Sequence, residues 1–110
     1  MSKGFVYLIV EANEDGRERF KIGITKNHPS QRLNKLKTGN SNELELLKFY
    51  ESENYKRIEK WFHMKYASKK TIAKNEFFDL SDVEVINFIN DCVEIDSTIS
   101  ILKKENPYFN

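Results

Sequence analysis

Residues 4 to 25, GFVYLIVEANEDGRERFKIGIT, constrain the fold more than any other stretch of this 110-residue chain. Positions 5 to 10 form a continuous apolar run, as expected of a strand covered on both faces. Asn13-Glu14-Asp15-Gly16 is a turn signal, with Asp-Gly its strongest part. Positions 20 to 25 return as the partner strand. Alternation sets Phe20, Ile22 and Ile24 on one face and Lys21, Gly23 and Thr25 on the other. Two details do not fit a purely structural hairpin. Tyr7 stands among aliphatics, and Lys21-Ile22-Gly23 puts an ammonium and a bare Cα where a strand wants bulk. A strand glycine relieves crowding, or lets a backbone or a phosphate approach closely.

The rest of the chain predicts a small α+β domain. Pro29 and Ser30 suit a helix start and Gly39 its stop, with Arg32, Leu33 and Leu36 close together between them. Positions 43 to 51 read as a third strand. A helix follows from Asn54 or Tyr55 to about residue 67, with Ile58, Trp61, Phe62 and Tyr66 as its apolar residues. Glu59 and His63 are four apart and share one of its faces. SKKTIAKN reads as a basic loop and NEFFDL as a short strand or edge segment. Ser81 to Glu84 matches a capping box. From there Val85, Phe88, Cys92, Ile95, Ile99 and Leu102 step at heptad spacing, widened at first by Ile86, Ile89 and Val93. The expected architecture is a small three-stranded antiparallel sheet flanked by helices, with a longer C-terminal helix. Residues 1–94 form the domain, and 95–110 a helical extension or tail. The second half of the seam either pairs with a second copy of the chain, giving a homodimer, or folds back.

Composition bounds the function. No long apolar run or basic-then-apolar start is present, so neither a membrane span nor a signal peptide is indicated. The single cysteine, Cys92, excludes an internal disulfide and a cysteine-rich zinc site, and reads as a buried helix residue. An intracellular setting is expected, the cytoplasm or a host cell if the source is a phage or virus. The net charge of +1 hides a division. Residues 1–74 carry 16 Lys and Arg against 9 Asp and Glu, whereas residues 75–110 carry 2 against 8. A basic body of this kind suits a polyanion-binding face.

The polar residues that burial alone does not explain are Tyr7, Lys21, Arg32, Glu59, His63 and the pair Asn75-Glu76. In this order they resemble the GIY-YIG nuclease superfamily: VYLI at 6 to 9, KIG at 21 to 23, then Arg32, Glu59 and Asn75-Glu76-Phe77-Phe78. The nearer likeness is to its phage and viral branch, with KIG as second signature, E-x-x-x-H and E-[WF]-F. The likeness spans about residues 4 to 80. It implies hydrolysis of DNA phosphodiester bonds with one divalent ion, Mg²⁺ or Mn²⁺. On that likeness Glu59 is the metal ligand, Tyr7 the residue that deprotonates or orients the attacking water, and Arg32 the phosphate contact. His63 matches the branch's histidine, and Asn75 or Glu76 a late supporting position. Lys21 stands where the superfamily's name has a second tyrosine.

The residue types suit such chemistry in their own right. A hard cation on a carboxylate and a forked guanidinium oppose the charge that gathers on phosphoryl oxygens. One carboxylate ligand fits Mg²⁺, which keeps most of its waters. A phenol is a weak base at its ordinary pKa near 10, and a neighbouring cation favours its phenolate. Lys21 is the candidate cation, or a direct phosphate contact, and His63 is the rival base. Lys26, Lys35, Lys37, Lys65, Lys69, Lys70 and Lys74 are the candidate DNA-backbone contacts, which carry no sequence information. The alternative reading keeps the fold without catalysis, as a DNA-binding or protein-interaction module.

Overall fold

The computed structural model describes residues 2–12, 16–38, 43–71, 77–106 and 108. The hairpin forms as its alternation requires. Strand β1 (Gly4–Ala12) pairs antiparallel with β2 (Glu18–Thr25), placing Tyr7 opposite Gly23, Ile9 opposite Lys21 and Glu11 opposite Arg19. Val6, Leu8 and Val10 then share one face with Phe20, Ile22 and Ile24. Tyr7, Ile9 and Glu11 share the other with Arg19, Lys21 and Gly23. Of the predicted turn, Asn13, Glu14 and Asp15 lie outside the described residues. Gly16 has φ +80°, the left-handed region, with open space around it, so backbone conformation rather than crowding calls for glycine there.

Strand β3 (Glu43–Ser52) adds to the other side of β1, with an irregularity between Leu8 and Ile9. Among the described residues, strand β4 (Phe77–Phe78) adds to β2 through Phe20 and Lys21. The order β3-β1-β2-β4 makes a sheet of four antiparallel strands, not the expected three. The addition is the NEFFDL segment. Its two phenylalanines bury on opposite faces, Phe78 in the main core and Phe77 over Lys21. The Asn75 and Glu76 positions of that segment, with Gly39 and Lys74, lie outside the described residues.

Helix α1 (Pro29–Lys37) covers the Tyr7 face, packing Leu33 and Leu36 against Tyr7, Ile9 and Leu44. Its N-cap is His28, whose Nδ1 accepts from the Ser30 backbone N–H at 3.2 Å. Helix α2 (Tyr55–Lys65) covers the opposite face with Tyr55, Ile58 and Phe62, and leads through Tyr66 to a 3-10 turn over Ala67–Lys69. Trp61, expected among the apolar residues of this helix, turns outward instead, with the Lys65 ammonium 4.9 Å from its ring centroid.

The capping box forms as expected: Ser81 Oγ accepts from the Glu84 N–H, and the Glu84 carboxylate accepts from the Ser81 N–H at 2.8 Å. The helix it starts is short. Helix α3 (Asp82–Ile86) ends at Asn87, and α4 (Phe88–Glu105) follows it. Lys48 of β3 supports the break by donating to the carbonyls of Val85 and Ile86 at 3.0 and 3.1 Å, where a cation meets the negative end of a helix. Ile86 and Val93 are exposed rather than part of the seam. Phe88, Cys92, Ile95 and Ile99 are buried in the main core, and α4 passes through residues 94 and 95 without a break. Burial first, then the charges of Asp91 and Asp96, push the Cys92 thiol up to about 12, an inert core residue.

Asp96 fastens α4 to the end of β3. Its carboxylate accepts from Tyr50 Oη, Ser52 Oγ and Asn54 Nδ2, each at 2.7 Å, and Lys103 donates to Asn54 Oδ1. Burial alone would raise the Asp96 carboxyl. The three donors and the Lys103 charge outweigh it and hold the group below the usual carboxylate range. Burial, then the bond to Asp96, pushes the Tyr50 phenol up to about 12.

Candidate active site at the edge of the second strand

Tyr7 and Gly23 are direct cross-strand partners. A methyl group on Gly23 would lie 2.3 Å from Tyr7 Oη and 2.5 Å from its Cζ. The tyrosine therefore lies across the bare Cα of Gly23 and carries its hydroxyl over β2. The space left by the missing side chain, expected to admit a phosphate beside Tyr7, is filled by the phenol itself. Leu33 of α1 and Ile9 back the ring, and only 1% of the residue is exposed.

Lys21 is not opposite Tyr7 but opposite Ile9, one same-face step along β2 from Gly23. Its Nζ lies 5.7 Å from the centroid of Phe77 on β4. The fourth strand thus takes part in placing the ammonium, at a distance where a ring face attracts a cation. Glu11, missed from the sequence, is fully buried on the same sheet face. Its signal was present: it continues the alternation Tyr7, Ile9, Glu11.

From the opposite face α2 brings Glu59 and His63 to the same strand. His63 Nε2 is 2.9 Å from the Ile22 carbonyl oxygen and 3.9 Å from Glu59 Oε2. The Phe78 ring meets the imidazole edge-on at 5.0 Å and 88°. Among the described residues β4 pairs with β2 at Phe20 and Lys21, the positions just before Ile22. A carbonyl only accepts, so Nε2 carries the proton in the bond to Ile22. In neutral His63, Nδ1 then holds the lone pair.

Arg32 stays exposed on α1, beside the partly buried Leu33–Leu36 stripe and on the Tyr7 side of the sheet. Among the described residues it makes no hydrogen bond or ion pair. The lysines spread over several surfaces rather than one. Lys35 and Lys37 stand on α1, and Lys26 just before it. Lys65 faces Asp91 at 3.4 Å, and Lys69 is paired with Glu84 at 2.8 Å. Burial acts to raise the Glu84 carboxyl, but bonds from Lys69 and Ser81 prevail and lower it.

Among the described residues no group of three or more His, Cys, Asp and Glu is placed to cage a metal ion. The half-buried Glu59 offers one carboxylate. That fits a hydrated hard cation held by one protein ligand, and not a closed multi-ligand centre. No helix among the described residues is long and apolar enough to cross a membrane.

A family model, the T5orf172 domain, matches residues 4–94, which include both strands of the hairpin and all of Tyr7, Lys21, Arg32, Glu59 and His63. No curated protein and no solved structure matches the chain with significance.

Proposed function

This chain belongs to the T5orf172 domain family, a phage-associated domain of the endonuclease type, and on that premise we propose that it is a small divalent-metal-dependent endonuclease acting on DNA phosphodiesters. One observation carries the proposal: Tyr7 from one face and the Glu59–His63 pair from the other reach the same stretch of β2, at Ile22 and Gly23. Polar side chains that converge from two layers on a strand edge have no packing purpose that apolar residues would not serve better.

In this reading Glu59 would hold the ion, which would supply Lewis-acid charge to the phosphoryl oxygens. Arg32 offers its fork to a non-bridging oxygen. The attacking water bonds to phosphorus and gives its proton to His63 Nδ1, or to Tyr7 Oη once that phenol has given up its own; the phosphorus–oxygen bond to the leaving group breaks, and solvent protonates that oxygen. His63 serves through Nδ1, because Nε2 is bound to Ile22. Lys21, one step along the strand, steadies negative charge on the phosphate.

The second reading, a DNA-binding module without catalysis, draws on the sparse ligand set around Glu59. One experiment separates the two. Supercoiled, nicked and branched DNA are incubated with Mg²⁺ or Mn²⁺ and the protein, beside Glu59→Gln, Tyr7→Phe and His63→Gln. Loss of one group that supplies a few kcal/mol at the transition state slows cleavage by roughly 10²-fold or more. Cleavage by Glu59→Gln equal to that of the parent rejects the site. Salt-dependent binding with no cleavage of any substrate establishes the module.

A further inference from the structure

Beyond β4, at the far end of the hairpin, lies an open cleft of about 850 Å³. Arg17 and Arg19 form one wall, Lys69 and Lys70 the other, and Glu18 and Asp79 also line it. Among the described lining residues four cations face two carboxylates. Behind them Glu84 pairs with Lys69 at 2.8 Å and the buried Glu11 stands opposite Arg19.

Both walls are built from ordered backbone. Arg19 belongs to β2. Lys70 forms an antiparallel bridge with Phe78, flanked by Thr71 N–H to Phe77 O at 3.0 Å and Asp79 N–H to Lys69 O at 2.8 Å. This pairing makes residues 69–71 a further edge of the sheet, outside β4.

Lys21 is buried beneath Phe77 and Tyr7 covers Gly23, so the cations of this strand that reach the cleft are Arg19, on β2, and Arg17, beside the hairpin turn. Two arginines at alternate residues of an extended chain, a step of about 6.8 Å, match a ligand bearing successive phosphates. Arginine forks suit phosphate oxygens in particular. An open cleft suits a polymer that continues at both ends.

We propose that this cleft holds the phosphodiester backbone that flanks the bond to be cleaved, gripping a nucleic-acid strand between Arg17 and Arg19 on one wall and Lys70 on the other. The inference rests on the nuclease reading above and adds the residues that grip the strand. Arg17 and Arg19 act here as binding residues away from the reacting phosphate.

The test measures binding and turnover separately. Fluorescein-labelled 20-nucleotide single strands and duplexes are titrated by anisotropy in EDTA, between about 50 and 200 mM salt. The proteins are the parent, Arg17→Gln/Arg19→Gln, Lys70→Gln and the distant Lys104→Gln. Removing a single cation from the phosphate backbone reduces the slope of log K against log salt by about 0.9 for duplex and 0.7 for single strands. The double variant should therefore reduce it by about 1.8 or 1.4, Lys70→Gln by about half of that, and Lys104→Gln not at all. In cleavage assays the double variant should raise KM and leave kcat near the parent value. Thermal melts show whether each variant folds, and Lys70→Gln, on the opposite wall, tests the cleft independently of the arginine pair.

A parent that binds and cleaves DNA beside variants with unchanged slope and KM overturns the cleft and leaves the nuclease reading standing. A fall in kcat equal to the fall in kcat/KM overturns the flanking role by moving the arginines to the reaction centre. A parent that neither binds nor cleaves overturns both proposals. Equal loss of binding to inorganic pyrophosphate and to DNA overturns the polymer in favour of a small polyphosphate.

Discussion

Replacing Gly23 by alanine tests the placement of Tyr7 directly. The added methyl would stand 2.3 Å from Tyr7 Oη, 2.5 Å from Cζ and 3.0 Å from Cε1. Comfortable carbon contacts begin near 3.5 Å, so the ring must shift by about 1 Å. It has little room, with Leu33, Leu36, Ile9 and Leu44 around it. Overpacking of this kind costs about 1–3 kcal/mol. Stiffening of the unfolded chain by the same substitution returns about 0.4–1 kcal/mol. The net expectation is a loss of about 0.5–2 kcal/mol, or roughly 2–8 °C in Tm for a domain of this size. Urea unfolding followed by far-ultraviolet circular dichroism should show a lower midpoint with an unchanged m-value. Cleavage should fall about as far as in Tyr7→Phe, since the phenol is displaced in one and its oxygen removed in the other.

A double-mutant cycle sharpens the point. In a Tyr7→Ala background the methyl meets no ring, so the Gly23→Ala penalty should vanish, giving a coupling of about 1–2 kcal/mol. Gly16→Ala provides the contrast. Its cost comes from φ +80° with nothing nearby, so it should be the same with or without Tyr7. If Gly23→Ala unfolds at the parent's urea midpoint and cleaves at the parent's rate, Tyr7 does not lie across Gly23, and the case for a composite site at this edge fails.

Two further outcomes follow from α4. The Asp96 carboxyl is lowered in the folded state, so its stabilisation is complete above its unfolded value near 4 and is lost as pH falls through the lower folded value. Asp96→Asn should flatten that acid limb and cost about 1.5–3 kcal/mol at neutral pH, and an unchanged urea midpoint from pH 7 to 3 would refute the role of the cluster. A chain ending at Glu94 loses Ile95, Ile99 and the Asp96 cluster, about 4–10 kcal/mol from the two isoleucines alone against a typical domain stability of about 5–15. It should be unfolded by circular dichroism at 25 °C, whereas a cooperative melt near the parent's would make residues 95–110 dispensable to the core.

The faces of the hairpin were legible because alternation fixes them once the strands are placed. So was the start of α3, because a capping box is a local signal. The break at Asn87 was not. The heptad stepping runs through it without a fault, and the carbonyls it frees are met by Lys48, 37 residues away in sequence. Asp96 hid for the same reason: its three donors lie on β3 and at the start of α2. In the candidate site, residue types were legible and pairings were not. Tyr7 and Lys21 are both on the hairpin, but only the register shows that Tyr7 meets Gly23 and that Lys21 stands a step away against Phe77. A slip of one residue would have exchanged the faces.

Strand β4 ties fold to chemistry. Its pairing with Phe20 and Lys21 buries Phe78 in the core and holds Phe77 against Lys21. On the next residue of β2, His63 takes the Ile22 carbonyl through Nε2. The bond fixes the imidazole at the edge and decides its tautomer, so the choice of base narrows from two residues to two atoms, Tyr7 Oη and His63 Nδ1. A glutamine at 63 keeps an N–H for Ile22 and has no basic nitrogen. Retained fold with lost cleavage in His63→Gln therefore assigns the proton to Nδ1, and retained fold with retained cleavage assigns it to Tyr7.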